Sequence, residues 1–380
     1  MATVALFWIS VILIGYSHVG YPALIRAWAA GRPRREEGDE PEPKTSILVV
    51  AYNEAAQIEG RIANLLALDY PKDRLEIVVG SDGSTDDTAA RAWSHEGAGV
   101  RVFAFHRRRG KTAVLNDLVP RCRGEIVVLA DARQRFEAGA LRALVRRFAD
   151  RSVGAASGEL ILTGDPVTTP VGKGVGLYWR FEKAIRLCES RVDSTVGATG
   201  AIYAIRRDLF DPIPEDTILD DVVIPMHIVR LGYRVVFAPE ARAYDRPAKA
   251  PREEFVRKVR TISGNFQMFA RERWLLDPFR NRLWLQTMSH KALRLLGPLL
   301  LCTALITNLF LLGRLFYDWT LLAQVVFYTS ALLGTLEGVA RRVPVVAGPY
   351  TICLLNWATV VAFLHFLTGR QRVTWERAGA

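Results

Sequence analysis

The run Glu125 to Arg133, EIVVLADAR, is an apolar, β-branched stretch that closes on a lone carboxylate, Asp131. It has the make-up of a fully buried strand, and a charged group at the carboxyl end of such a strand stands where open α/β sheets bind their ligands. The competing reading makes Asp131 a cap on the turn into a helix over residues 137–150. Two more polar turns follow apolar runs: Tyr52-Asn53-Glu54 after TSILVVA, and SDGSTDD, residues 81–87, after LEIVVG. Asp82 in the second turn has the chemistry to hold a base or a ribose through their donors. Neither turn is a phosphate loop of the G-x-x-x-x-G-K-[ST] kind. Gly172, Gly174 and Gly176 fall short of a dinucleotide fingerprint and follow no parallel strand.

Such residues need elements to hold them. Residues 46–51, 75–80, 100–105 and 125–130 read as strands, and residues 54–68, 86–96 and 111–121 as the helices between them. That alternation predicts a parallel α/β unit. Beyond it the pattern is mixed, with strands at 153–162 and 196–205 on either side of a helix through 178–188, a helix toward Arg230, and a strand at 233–239. The expected fold class is α/β, with a mixed, mainly parallel sheet and transmembrane helices at both ends of the chain. No internal repeat is visible.

The chain has 380 residues, half of them hydrophobic, and a formal net charge of +11. Residues 2–25 are an apolar run broken by Ser10, Ser17 and His18, close to the roughly 20 residues a spanning helix needs. No Lys or Arg precedes the run, which argues against a cleaved signal peptide despite Ala27-Trp28-Ala29. Arg26, Arg32, Arg34 and Arg35 follow it, so the positive-inside rule places the N-terminus outside and the following domain in the cytoplasm. From Arg252 the chain turns amphipathic and rich in Arg and aromatics, through Phe255, Phe266, Phe269, Trp274 and Trp284, which suits helices along a membrane surface. Residues 293–312, 321–339 and 345–367 are further stretches of spanning length. Three crossings would leave Arg370, Arg372 and Arg377 outside, so one segment is expected to be re-entrant or interfacial, and the last, with Gly348, Pro349 and Asn356, is the best candidate.

The layout expected is an anchor at 1–25, a Pro-, Glu- and Arg-rich linker at 26–43, an α/β domain at 44–250, interfacial helices at 251–292, spanning segments at 293–369 and a basic tail at 370–380. Cys122, Cys188, Cys302 and Cys353 form no C-x-x-C pair, which opposes both a disulfide framework and a zinc site and suits a reducing compartment. No nucleic-acid-binding signature accompanies the positive charge; arginines beside membrane segments and an anionic substrate account for it, so no nucleic-acid partner is expected.

In order and in register, TSILVVAYNE, EIVVGSDGSTDDT, GKTAVLN and VLADA resemble the membrane-bound family 2 glycosyltransferases, related to polysaccharide synthases, over Lys44 to about Gln267. The resemblance implies a GT-A fold and inverting transfer of a sugar from a nucleotide-diphosphate donor, with a UDP-sugar expected. It implies that Tyr52, Asn53, Glu54 and Asp82 line the uridine site, that Lys111 lies near the uracil or phosphates, and that Asp131 opens the D-x-D motif. It makes Gly200, in VGATGAIYAIRR, part of a loop beside the acceptor, although a strand-edge bulge would also suit a glycine there. The family's acidic pair precedes Gly-Tyr at a set distance. Asp221 stands eleven residues before Gly232-Tyr233 and meets that spacing, whereas Asp216 of Glu215-Asp216 does not. Asp221 is therefore the expected base and Asp220 its partner; a cap on the helix toward Arg230 is the plain alternative. The chemistry agrees: a departing nucleoside diphosphate needs positive charge, and the acceptor hydroxyl needs a proton acceptor.

Two departures matter. Arg133 fills the last position of D-x-D; it cannot coordinate a cation but suits a diphosphate bidentately. Metal binding, by Mg²⁺ or Mn²⁺, then rests on Asp131, which is compatible with magnesium's use of few protein carboxylates. Residues 257–264 line up with the Q-x-x-R-W motif of membrane polysaccharide synthases, where only Arg260 and the later Gly264 agree and Thr261 replaces an acceptor-stacking Trp. The Arg107-Arg108-Arg109 run reads either as a solvated face or as a phosphate clamp. The expected protein is an integral enzyme of a bacterial-type inner or plasma membrane, with membrane lipid around it and a lipid-linked or polysaccharide acceptor. The rivals are an inactive scaffold binding nucleotide sugar or lipid, a processive polysaccharide synthase, and a nucleotidyltransferase on a similar sheet.

Overall fold

The computed structural model describes residues 1–33, 42–163, 170–246, 251–336 and 343–370. Most of the expected linker, with Arg34 and Arg35, and the tail from residue 371, with Arg372 and Arg377, lie outside the described residues. The chain divides into two compact units, one from Met1–Gly31, Gly164–Cys188 and Ala248–Gln371, the other from Arg32–Thr163 and Glu189–Pro247.

The second unit is built on one sheet. Its described strands are β1 (Thr45–Ala51), β2 (Leu75–Asp82), β3 (Val100–Phe105), β4 (Ile126–Asp131), β5 (Arg135–Phe136), β6 (Val153–Leu162), β7 (Ile202–Arg206) and β8 (Arg234–Asp245). Their order is β3-β2-β1-β4-β7-β6-β8-β5. The pairs among β3, β2, β1 and β4 are parallel; β7 runs antiparallel to both β4 and β6, and β6 is parallel to β8. The mixed, mainly parallel sheet matches the α/β expectation.

Helices cover both faces, which is why β1, β2 and β4 are almost uninterrupted apolar runs. Helix α3 (Ile58–Leu66) presents Ile58, Ile62 and Leu65 to Ile47 and Val49 of β1, in one core with Val128 and Leu144. Helix α5 (Lys111–Leu118) covers the opposite face, so near to β2 that a Cβ on Gly80 would stand 2.7 Å from both Val114 and Leu118. Helices α4 (Thr88–Trp93), α6 (Ala140–Val145) and α8 (Asp220–Arg230) complete the unit.

One strand is shorter than the sequence suggests. The expected strand at 196–205 begins only at Ile202. Gly197 adopts φ +89°, and the backbone N–H groups of Ala198 and Thr199 donate to the Asp221 carbonyl (2.7 Å) and to Ser157 Oγ (2.9 Å) instead of to a ladder. The helix expected at 178–188 runs from Pro170 to Val192 (α7).

In the other unit, α1 (Ala2–Gly15) and α2 (Tyr21–Ala30) join through a π-helical turn into one 29-residue helix apolar enough to cross a membrane. Helix α14 (Ala347–Leu367) meets the same criterion. A third candidate is broken: residues Trp284–Leu295, comprising α10 (Trp284–Gln286), a π-helical turn and α11 (Leu293–Leu295), meet α12 (Gly297–Leu309) at 61°. The bend thus falls in this segment, whereas the last, which Gly348, Pro349 and Asn356 single out as re-entrant or interfacial, is an unbroken helix. Pro349 falls in the first turn of α14, where its missing N–H costs nothing, whereas Gly297-Pro298 stand at the bend. Helix α13 (Leu315–Leu333) covers most of the stretch expected at 321–339, and its Phe316 stacks on Trp8 at 5.5 Å. Helix α9 (Pro251–Arg271) packs Val259 and Phe266 against Ala358, Ala362 and Phe363 of α14. Glu182 of α7 is buried between His290 (2.8 Å) and Arg294. Burial pushes its carboxyl up, but His290 and Arg294 together outweigh it and hold it well below the usual carboxylate range.

Candidate active site

The register of the parallel strands brings their carboxyl ends to one edge: Ala51 pairs with Ser81 and Val50 with Asp131. The turns carrying Tyr52 to Glu54, Asp82 and Asp131 therefore stand side by side. Asn53 takes φ +52°, which asparagine tolerates better than most residues. Its Oδ1 accepts from Thr85 N (2.8 Å), while Glu54 N donates to Thr88 Oγ1 (2.8 Å) and Ala55 N to Asp86 (3.2 Å). These bonds lock the two turns together.

Asp82 is 3% exposed and accepts from the backbone N–H groups of Arg109 (2.7 Å) and Gly110 (2.8 Å). It thereby draws the loop after β3 over the site. Gly83, at φ +64°, permits this, because a Cβ there would lie 2.3 Å from Arg108 N. The Arg108 guanidinium then covers the Tyr52 ring at 3.7 Å. Arg109 is a cross-link, bonded to Asp117 and Glu215 at 2.7 Å each. The arginine run is therefore neither a uniformly solvated face nor a single clamp.

Lys111 is the first residue of α5. Its Nζ lies 3.1 Å from Asp131 Oδ1 and 3.1 Å from Asp220 Oδ2. Asp220 is 6% exposed and also accepts from Tyr203 Oη (3.3 Å). Asp221 Oδ2 accepts from Gly200 N (3.0 Å), and a Cβ on Gly200 would crowd that oxygen at 2.9 Å. Burial alone would push the Lys111 ammonium down; Asp131, Asp220 and Asp221 together outweigh it and hold it above the ordinary lysine range. Burial, then the charges of Asp220 and Asp221, push the Tyr203 hydroxyl well up, so it stays a donor. No aspartate here serves as a cap. The N-cap of α8 is Leu219 and that of α6 is Gly139, neither with a side-chain capping bond.

Arg133 Nη2 lies 3.9 Å from Asp245 Oδ2, to which Gln134 Nε2 donates at 2.8 Å. Gly200 precedes β7 and is not a strand bulge. Arg260 belongs to α9 in the helical unit, as does Thr261, whose hydroxyl donates to Arg257 O one turn earlier (3.0 Å). Trp274 and Trp284 donate their indole N–H groups to Glu272 and to Leu276 O.

Among the described residues no three His, Cys, Asp or Glu side chains converge as a metal cage. Asp131 is 26% exposed and bonds Lys111 through Oδ1, leaving Oδ2 without a hydrogen-bond partner among the described residues. One such oxygen fits a divalent cation that draws its other ligands from a diphosphate and water.

Two side chains escape the motifs. Tyr203 is one aromatic in an apolar strand, and nothing in the sequence separates it from core. Arg61 carries a signal: it interrupts the buried stripe Ile58, Ile62, Leu65 of α3.

A family model described as "Glycosyltransferase like family 2" matches residues 41–264. The beta-monoglucosyldiacylglycerol synthase of Nostoc sp. (strain PCC 7120) is 26% identical over 250 residues, 61% of this chain and 52% of that one. The poly-beta-1,6-N-acetyl-D-glucosamine synthase of Staphylococcus aureus (strain COL) is 26% identical over 237 residues, 60% of this chain and 56% of that one. The chain thus spans little more than half the length of these relatives. Among solved structures, the mannosyltransferase PcManGT from Pyrobaculum calidifontis, in complex with GDP-Man and Mn²⁺, superposes with a TM-score of 0.73 at 23% identity, covering 96% of this chain and 99% of that one. That likeness concerns the fold, GT-A.

Proposed function

Since the chain belongs to the glycosyltransferase family 2-like proteins, we propose that it is a membrane-anchored inverting glycosyltransferase that moves a sugar from a nucleotide-diphosphate donor to a lipid-linked or polysaccharide acceptor. The observation that carries the reading is the meeting of Asp131, Asp220 and Asp221 around Lys111 at the carboxyl edge of the sheet. Asp221, partly exposed and oriented by Gly200 N, takes the proton of the acceptor hydroxyl as that oxygen attacks the sugar carbon. Asp220 and Tyr203 hold Lys111, and Lys111 keeps positive charge beside Asp131, at the side from which the diphosphate leaves. Arg133 adds a fork that suits phosphate oxygens. Asp131 would hold Mg²⁺ or Mn²⁺, which supplies charge neutralisation to the departing diphosphate.

Tyr52, Asn53, Glu54 and Asp82 shape the nucleotide end. UDP is the expected base carrier; GDP is the alternative, because the similar fold of the mannosyltransferase was solved with GDP-Man. The active site faces the cytoplasm, and the spanning helices hold the enzyme beside its acceptor. One or a few sugars are added per encounter, since Thr261 offers no aromatic face on which a growing chain could stack.

The test is a screen of UDP- and GDP-sugars with the detergent-solubilised chain and a lipid acceptor, with and without EDTA. One nucleoside diphosphate should be released per glycoside formed, EDTA should abolish release, and products should form a short ladder. Release of pyrophosphate would identify a nucleotidyltransferase; donor binding without turnover would identify a scaffold. Full turnover in EDTA would remove the metal from the reading.

A further inference from the structure

A cleft of about 470 Å³ opens in the sheet unit between α3 and the residues that leave β4. Its floor is made by small side chains of α3, and a Cβ on Gly60 would meet nothing within 4 Å. Arg61, Arg133 and Arg135 line it, and no Asp or Glu does. Open space beside three arginines, of which Arg133 also faces Asp245, and without an acid among the lining residues, is a positive concavity of the size that holds small ligands.

Arg61 decides what it is for. The side chain is 3% exposed, its guanidinium lies 4.1 Å over the Phe136 ring, and its Nη1 donates to Asn64 Oδ1 at 3.1 Å. Nε and Nη2, both buried, find no acceptor among the described residues. Those two nitrogens form the side edge of the guanidinium, whose parallel N–H bonds fit two oxygens of one phosphate. Gln134, 3% exposed, lines the same cleft with its Oε1 also lacking a donor among the described residues. A buried arginine with its bidentate edge unused is costly to keep unless an anion completes it.

We propose that this cleft is an anion site that receives the phosphate group of a small molecule other than the sugar donor, on the Nε–Nη2 edge of Arg61 with Arg135 at the rim. A side-chain rotation of Arg61 or Gln134 admits the phosphate to the edge. The occupant lies on the α3 side of β4, next to the residue that follows Asp131, and adds negative charge there.

The experiment reads binding and is independent of glycosyl transfer. The melting temperature of the full chain in detergent is measured with inorganic phosphate against chloride at matched ionic strength, in saturating UDP. A rise of about 5 °C or more is expected at phosphate a hundredfold above its Kd. Arg61→Met should abolish the rise. Ala63→Phe, which fills the cleft from an exposed position of α3, should abolish it while leaving Arg61 in place, and serves if Arg61→Met does not fold. An equal rise in the variants, no rise in the parent chain, or a rise seen only without UDP would each overturn the proposal. The last would assign the ion to the donor's own diphosphate site.

Discussion

Lys111, half-buried, and Arg61, buried, are cations within electrostatic reach of the same carboxylate, Asp131, and their surroundings are opposite. Lys111 sits among Asp131, Asp220 and Asp221, so that three acids share one ammonium and the group is negative as a whole. Arg61 stacks on an aromatic ring, bonds one amide, and faces a cleft without acids. Burial pulls its guanidinium down to about 9, with Asp131 acting against that fall. An arginine remains charged at neutral pH all the same. The contrast separates two kinds of chemistry on the two sides of β4: an acidic pole suited to accepting a proton and a metal-borne charge, and a basic pole suited to an anion.

Removing Lys111 should have the largest effect. Lys111→Met leaves Asp131 and Asp220 without their shared partner; breaking a fully buried pair costs about 3–5 kcal/mol, and the partial exposure of Lys111 and Asp131 brings the expected loss to about 2–3 kcal/mol. Denaturant unfolding of the detergent-solubilised chain measures it; a loss below about 1 kcal/mol would mean that the acids relax into solvent and that the ring is not a fixed unit.

Asp221→Asn comes next. It keeps the shape of the side chain but cannot take a proton, so turnover should fall by about 10²-fold or more while donor binding stays near that of the parent chain. Retained turnover would move the base to another acid, with Asp216 the first to examine, and would reduce the acidic pole to a structural one.

The smallest effect is in pH. The Lys111 ammonium is raised in the fold, so its stabilisation is complete below the ordinary lysine value of about 10.4 and is lost only as pH climbs through the higher folded value. Arg61 is lowered, so its burial penalty is present below about pH 9 and lifts above it. Between pH 9 and about 10 the parent chain should therefore keep the Lys111 contribution while the Arg61 penalty fades. Melting curves of the parent chain and of Lys111→Met should run parallel up to about pH 10, with the gap between them narrowing only above the ordinary lysine value; a gap that widens with pH below that value would show that the lysine is not held by its acids.

Strands β1, β2 and β4 were legible because burial on both faces leaves an unmistakable apolar run, and Val100–Phe105 and Val153–Leu162 were read to the residue. The two-residue β5 was not, since its pairing with β8 depends on a partner a hundred residues away. The break at Gly297 was hidden behind a more conspicuous Gly-Pro pair at the start of α14, because a proline's cost depends on whether its N–H had an acceptor to lose.

The sequence by itself determined the fold class, the family and the identity of the polar turns, since each is written in local spacing: a strand, a turn and a carboxylate at its tip. Only the tertiary structure decided how those carboxylates are used. Asp82 and Lys111 both belong to motifs, yet one holds a loop through two backbone N–H groups and the other bridges strand β4 to helix α8. Tyr203 joined the Lys111 cluster from an apolar strand, and Arg61 reached the neighbouring cleft from an apolar helix stripe. The reason is physical: the charge state and partners of a buried polar group depend on what the fold packs around it, and residues far apart in the chain, such as 111 and 220, meet only once the sheet has closed.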